Sequence, residues 1–308
     1  MGKRPVVAER EVAEWCLATL GSAPVKSLFD GGYLSLVQGL RLADGREVVV
    51  KIRANSPRLE GSALVHRRLF DAGFPCPEPL SGVVPITSRL TASAEALVRA
   101  DQQLSDSGRG VVPFAEAFAR LLALAPPPSD VPDLWPPLPW TGWNHEEGRL
   151  WPRPDDKDVD LNNVTGPAWV DGAGRRARDR LRAAVGAQGV GHGDWHAGNI
   201  RWSGNVLAVV HDWDSVIIDS EAAMVGFAAA VFPTTHAGDE ATVEETDAFL
   251  AADQSASGRR FSRDERETAW AAGVWLRAFD TKKQHAVGQP PLSLTENEAA
   301  HRLSRASA

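Results

Sequence analysis

GHGDWHAGNI, residues 191–200, places His192, Asp194, His196 and Asn199 within eight positions, with glycines at 193 and 198. Three readings compete. The cluster holds a metal, runs a proton transfer, or simply shapes a tight loop. The choice between them rests on what else the chain provides in a compatible order.

Two other stretches matter. VLAVVHDWD, residues 206–214, is an apolar strand running into Asp212 and Asp214. KSLFDGGYLSLVQGLRLADGREVVVKIR, residues 26–53, carries VVVK ending at Lys51. Asp44-Gly45 is a hairpin turn signal between two strand-like runs, and Asp30-Gly31-Gly32 makes a flexible bend before them, so the segment is predicted to be a small antiparallel meander. Phosphoryl transfer from ATP requires a lysine on the α- and β-phosphates, oxygen ligands for Mg²⁺, and a carboxylate where the acceptor hydroxyl arrives. The kinase signature supplies these as V-A-I-K, H-R-D-x-x-x-x-N and a strand-end Asp. Here V-V-V-K, H-G-D-W-H-A-G-N and H-D-W-D stand in the same order. Base and metal ligand must come from one compact loop, and a carboxylate and an amide oxygen suit hard Mg²⁺. Gly193 and Gly198 are expected to let that loop turn sharply.

HGDWHAGN followed by HDWD resembles the aminoglycoside phosphotransferase and choline kinase superfamily, relatives of the protein kinases. The resemblance covers roughly residues 25–285. It implies an α+β, two-lobed, protein-kinase-like fold, with a five-stranded antiparallel sheet and a helix in the N-lobe and a mostly helical C-lobe. It also implies ATP and Mg²⁺ as cofactors. By position, Asp194 is the implied catalytic base, Asn199 and Asp212 the metal ligands, and Lys51 the phosphate-binding lysine. Gly31, Gly32 and Ser35 fall in the loop covering the phosphates, and the adenine falls near Leu97–Ala100. A glutamate in the helix after the lysine strand should pair with Lys51; Glu60 is the nearest candidate. Many relatives continue with G-D-P-x-x-D-L-A after the D-x-D text. Here IIDSEAAMVG stands instead, and the late aspartate is missing.

The rest of the chain fits this frame. At 308 residues it exceeds what one core usually serves, so two lobes are expected, residues 1–104 for nucleotide binding and 105–308 for catalysis and acceptor binding. A net charge of −7 argues against a nucleic acid polymer as partner and suits cationic small molecules. Cys16 and Cys76 give no disulfide framework and read as buried thiols of a cytoplasmic protein. The N-terminal MGKRPVVAEREVAEW lacks the apolar run of a signal peptide, and the longest apolar run, Ala222–Phe232, is too short to cross a bilayer. Helices are predicted over 8–20, 57–73, 113–125 (with Pro113 as first helical residue), 167–186, 220–231 and 263–280, and 286–308 is read as a loose tail or a final short helix. Residues 126–163 hold nine prolines and four of the eleven tryptophans, which predicts a long irregular excursion. Its tryptophans serve either as packing or as a ligand platform, and packing is the favoured reading.

The expected activity is therefore transfer of the γ-phosphoryl group to a hydroxyl of a small molecule, by a monomer or homodimer with no membrane partner. An aminoglycoside or related antibiotic is the first expectation for the acceptor, as in antibiotic resistance, with a sugar, hexosamine or amino alcohol as the alternative. A metal-dependent hydrolase is the competing class, because His192 and His196 are four apart and His211, Asp212 and Asp214 lie nearby in sequence. It leaves VVVK without a purpose. A silent nucleotide-binding protein is disfavoured by the full set of Lys51, Asp194, Asn199 and Asp212. The acidic stretch 239–253 needs no function as an exposed helix face. In aminoglycoside-modifying relatives, acidic C-terminal regions receive the substrate's amino groups.

Overall fold

The computed structural model describes residues 4–99, 102–103, 110–146, 148–204, 206–236 and 238–308, with backbone alone at 102–103. Helix α1 (Glu9–Leu20) leads into strands β1 (Pro24–Gly31), β2 (Leu36–Leu42) and β3 (Glu47–Ala54). The β2–β3 turn forms where Asp44-Gly45 predicts it: Gly45 takes φ 90° and the Asp44 carboxylate accepts the Arg46 N–H at 3.0 Å. Helix α2 (Arg58–Asp71) follows, then β4 (Val84–Pro85) and β5 (Leu90–Ala96). The sheet runs β1-β2-β3-β5-β4, antiparallel at every pairing. The five-stranded N-lobe is as expected.

Strand alternation sorts β3 into two faces. Val48, Val50 and Ile52 pack with Ala92 and Ala94 of β5 against Val12, Trp15, Cys16 and Leu20 of α1. Each fully buried aliphatic side chain there contributes roughly 1.5–3 kcal/mol. Lys51 and Arg53 therefore point to the opposite face, with Ser93 and Glu95 beside them.

The C-terminal part is mostly helical: α3 (Val111–Leu124), α4 (Ala168–Ala183), α5 (Glu221–Val231), α6 (Val243–Ser257), α7 (Arg263–Ala286) and α8 (Glu296–Arg305). Pro113 is the third residue of α3, not the first. The apolar run at 222–232 is helix α5, whose residues 222–231 are all buried. Gly226 lets α7 approach closely, since a Cβ there would lie 2.1 Å from the Ala269 carbonyl oxygen. The tail ends as α8. Among the described residues no helix is long and apolar enough to cross a membrane. Two small sheets carry the central loops. Strand β7 (Gln188–His192) pairs with β10 (Val216–Ser220), and β8 (Ile200–Ser203) pairs with β9 (Val206–Val210) and with β6 (Gln102–Gln103). The chain has thus joined the C-terminal sheet by Gln102, while the expected boundary at 104/105 lies outside the described residues.

Three tryptophans of the excursion at 126–163 are fastened into the C-terminal part. The indole N–H groups of Trp140, Trp143 and Trp151 donate to the Gly193 carbonyl at 2.8 Å, the Asp219 carboxylate at 2.7 Å and the Asp171 carboxylate at 2.7 Å.

Parts of the acidic stretch serve structure. Glu245 and Thr242 form the capping box of α6, and Asp247 accepts from Arg305 at 2.8 Å. Asp253 is fully buried, and neither carboxylate oxygen has a hydrogen-bond partner. Burial, and then the charge of Glu221, push its pKa up to about 7 against a smaller pull from Arg259. The unfolded chain then loses this proton before the native protein does. Stability must fall as pH rises from about 4 to about 7, by up to about 4 kcal/mol, and level off above. Asp253→Asn is expected to remove that fall, so its Tm exceeds the wild type's at pH 8 but not at pH 4. Parallel Tm–pH curves for the two proteins would refute this.

Candidate active site

Lys51 emerges from β3 opposite Ser93 of β5. Its ammonium lies 3.5 Å from the Glu95 carboxylate, with both side chains largely buried. Burial alone would lower its pKa, but Glu95, Asp212 and Asp214 outweigh it and hold the lysine protonated. Glu60 does not make this pair. It stands exposed in the first turn of α2, along a groove with Asn55, Val83, Pro85 and Thr91. The residue of α2 that faces the centre is His66 instead. Its ring stacks on Trp213 at 5.3 Å and 12°, and its Nε2 bonds the Pro77 carbonyl at 2.8 Å.

Removing one member of a buried ion pair leaves the other charge uncompensated. Glu95→Gln is therefore expected to raise KM for the nucleotide on the order of tenfold, about 1.4 kcal/mol, whereas Glu60→Gln leaves it unchanged. Steady-state kinetics on both variants checks this; the reverse pattern would restore Glu60 as the partner.

The loop between β7 and β8 carries Asp194. Its Oδ2 accepts the Asn199 amide at 2.9 Å, and His196 Nε2 lies 3.3 Å away. The Asn199 amide also reaches the Asp194 carbonyl at 3.0 Å, which leaves the amide oxygen for a cation. Among the described residues nothing donates to Asp194 Oδ1. Desolvation would raise the Asp194 pKa, but His196, His192 and Asn199 together hold it below the usual carboxylate value. The same attraction raises His196 against its own desolvation. His192 is buried and neutral: its Nε2 donates to the His211 carbonyl at 3.0 Å, and its Nδ1 accepts the Asp194 N–H at 3.2 Å. Both nitrogens are thus engaged by backbone. The glycines serve packing rather than a sharp turn, since neither has positive φ. A Cβ at Gly198 would lie 2.5 Å from the His196 ring, and one at Gly193 would lie 2.8 Å from Ile217.

Asp212 follows β9 with φ 64° and ψ 50°, a left-handed conformation that aspartate tolerates better than most residues. One of its oxygens accepts the Ser215 hydroxyl at 3.2 Å. Burial raises its pKa; Lys51 opposes that, while Asp214 and Asp194 add to it. Lys51 and Asp194 thus both act on Asp212. Asp214 pairs with Arg53 at 2.7 Å, joining the sheet to this turn.

In the loop at 31–35, Gly32 has φ 90°, and a Cβ there would lie 2.2 Å from the Ser35 carbonyl oxygen. Only glycine fits. Gly31 ends β1 in open space, and Ser35 is half-buried just before β2.

This geometry has a family. Residues 27–264 match the phosphotransferase enzyme family (APH). The chain belongs to that family. The phosphotransferase is similar in structure to amicoumacin kinase hAmiN, solved with AMP-PNP, Ca²⁺ and Ami, at 12% identity over 98% of this chain and 92% of that one, with a TM-score of 0.63. Spectinomycin phosphotransferase APH(9)-Ia, in complex with ADP and spectinomycin, matches at 12% identity over 98% and 94%, with a TM-score of 0.59. A choline/ethanolamine kinase family protein from Mesorhizobium loti matches at 17% identity over 97% and 92%, with a TM-score of 0.54. At these identities the likeness is one of fold. No curated protein matches the phosphotransferase by sequence.

A further acidic group, not anticipated from the sequence, feels the Asp194 charge. Asp280 of α7 is pushed up to about 6 by burial; Lys283 opposes this, and Glu240, Asp194 and Asp156 reinforce it. Lys283 reaches Asp156 at 2.9 Å and Asp280 at 4.0 Å. Asp156 Oδ1 is buried without a partner. These residues come from segments more than 120 positions apart, so no local signal joins them.

Proposed function

We propose that the phosphotransferase moves the γ-phosphoryl group of ATP to a hydroxyl of an amine-bearing small molecule, with Mg²⁺. The observation that carries this is the Asn199 amide fastened to Asp194, beside an Asp212 on which Lys51 acts. In this reading Asp194 Oδ1 accepts the acceptor's O–H. It takes the proton as the new O–P bond forms and the bond from the γ-phosphorus to the departing ADP oxygen breaks. His196 and Asn199 keep the carboxylate turned to that task. The chemistry is positioning and charge neutralisation.

The donor set fits a hard divalent cation: one amide oxygen and one buried carboxylate that lacks a full counter-charge. Asn199 and Asp212 would hold Mg²⁺, which when bound supplies charge neutralisation on the phosphates. Lys51 binds the phosphates, and the loop at 31–35 covers them. In the linker the Leu97 N–H is donated to the Glu47 carbonyl at 3.0 Å, so the base edge meets Val98 or Arg99; Ala100 lies outside the described residues. The lobes then divide near the linker, residues 1–104 serving the nucleotide and 105–308 the acceptor.

Support for the substrate class comes from Asp280, which feels the charges of Glu240, Asp194 and Asp156 with Lys283 among them. That seat favours an ammonium group on the acceptor. Aminoglycosides and related antibiotics carry one next to hydroxyls, and hexosamines and amino alcohols share the chemistry. An ADP-release screen with Mg·ATP across aminoglycosides, peptide antibiotics, hexoses, hexosamines and choline-like alcohols tests this. Acceptor-dependent ADP release confined to amine-bearing alcohols is expected. Turnover of neutral hexoses alone would overturn the amine reading.

A further inference from the structure

The two edges of the nucleotide cleft are built differently. The inner edge is wired through buried contacts. The Arg58 guanidinium donates to the carbonyls of Leu134 at 3.3 Å, Pro136 at 2.8 Å and Val216 at 2.6 Å. Arg53 pairs with Asp214 at 2.7 Å, and His66 stacks on Trp213. Neither arginine can part from its partners without stranding a largely buried charge.

The outer edge has, among the described residues, one exposed fastening. Tyr33, the only tyrosine in the chain, sits at the tip of the loop at 31–35 and is 64% exposed. Lys157 of the Trp/Pro-rich excursion donates to its hydroxyl at 3.1 Å, and the same ammonium lies 5.5 Å from the ring centroid. Lys157 stands in Asp155-Asp156-Lys157-Asp158. Yet among the described residues no carboxylate comes within ion-pair distance of it. Its neighbours anchor the strap elsewhere: Asp156 holds Lys283 of α7 at 2.9 Å, and Asp155 acts on Arg58.

We propose that Tyr33 and Lys157 latch the glycine loop over the bound nucleotide, as positioning residues for phosphoryl transfer. This rests on the nucleotide reading of the preceding subsection. An exposed cation–π contact with one hydrogen bond shifts an open–closed equilibrium on the order of 5–30-fold. That is enough to favour the closed loop and weak enough to open in each cycle. The strap also carries Asp156 of the acceptor seat, so an acceptor that settles the strap also settles the loop.

The test is the dissociation rate of a fluorescent ADP analogue, with Mg²⁺, from the full-length protein by stopped flow. Tyr33→Ala and Lys157→Met should each raise the rate about 5–30-fold, and the double variant should be no faster than the faster single. Tyr33→Phe, which keeps the ring, should fall between, and Lys157→Arg should restore most of the retention. Tyr33 is exposed and Lys157 is half-buried with no ion pair among the described residues, so Tm should stay near the wild-type value. Wild-type release rates in both single variants, or rate increases that multiply in the double variant, would overturn the latch alone. A wild-type protein that binds no Mg·nucleotide would overturn the nucleotide reading and the latch with it.

Discussion

Asp194→Asn is expected to lower turnover by about 10²–10⁴-fold while nucleotide affinity stays near the wild-type value. The substitution keeps the side chain's shape, so contacts from Asn199 and His196 to the loop have somewhere to go. What it removes is the proton acceptor. The native carboxylate is ionised at neutral pH, because His196, His192 and Asn199 outweigh its desolvation. A carboxylate is a weak base, so it takes the proton late, after the phosphoryl group has begun to move, and its main service is to orient the hydroxyl. His196 reports on the same pair. Its pKa is raised chiefly against desolvation by the Asp194 charge, so it should fall in the variant. That shift is measurable by NMR titration even where activity is too low to follow. Full turnover in Asp194→Asn would remove the residue from the mechanism.

Asp212→Asn should lose Mg²⁺-dependent nucleotide binding by more than the 10–100-fold typical of residues that only support a metal ligand. Asparagine tolerates the left-handed backbone at φ 64° at least as well as aspartate. The fold therefore survives, and the loss reads on charge. Alanine at this site would add backbone strain and confuse the two. The apo protein should gain stability in Asp212→Asn, since a buried carboxylate that Asp214 and Asp194 crowd is replaced by a neutral amide. A variant with weaker binding and a higher Tm fits a metal ligand; one with unchanged binding does not.

Much of this was legible in the sequence because it is local. Asp194 and Asn199 share one loop, Asp212 ends one strand, and Lys51 ends another, so order and spacing alone bring them into view. The meander of the sheet followed from Asp44-Gly45 between two strand-like runs. Glu95 was not legible. It becomes Lys51's partner through the β3–β5 register, in which Lys51 faces Ser93, and no spacing rule foretells a register between strands so far apart. Glu60 drew attention by lying in the expected helix, but helical phase turns it to solvent and His66 inward. The same limit hid Tyr33 with Lys157, 124 positions apart. It also hid Asp280 with Asp156. In the acidic stretch, capping and surface pairing account for Glu245 and Asp247, while Glu240, from before α6, acts on Asp280.

The most direct measurement is calorimetric titration of the purified protein with ATP, with and without Mg²⁺. Saturable one-to-one binding that requires Mg²⁺ and is lost in Asp212→Asn is the predicted result. Equal affinity in the absence of any divalent ion, or no ATP binding at all, would contradict the account.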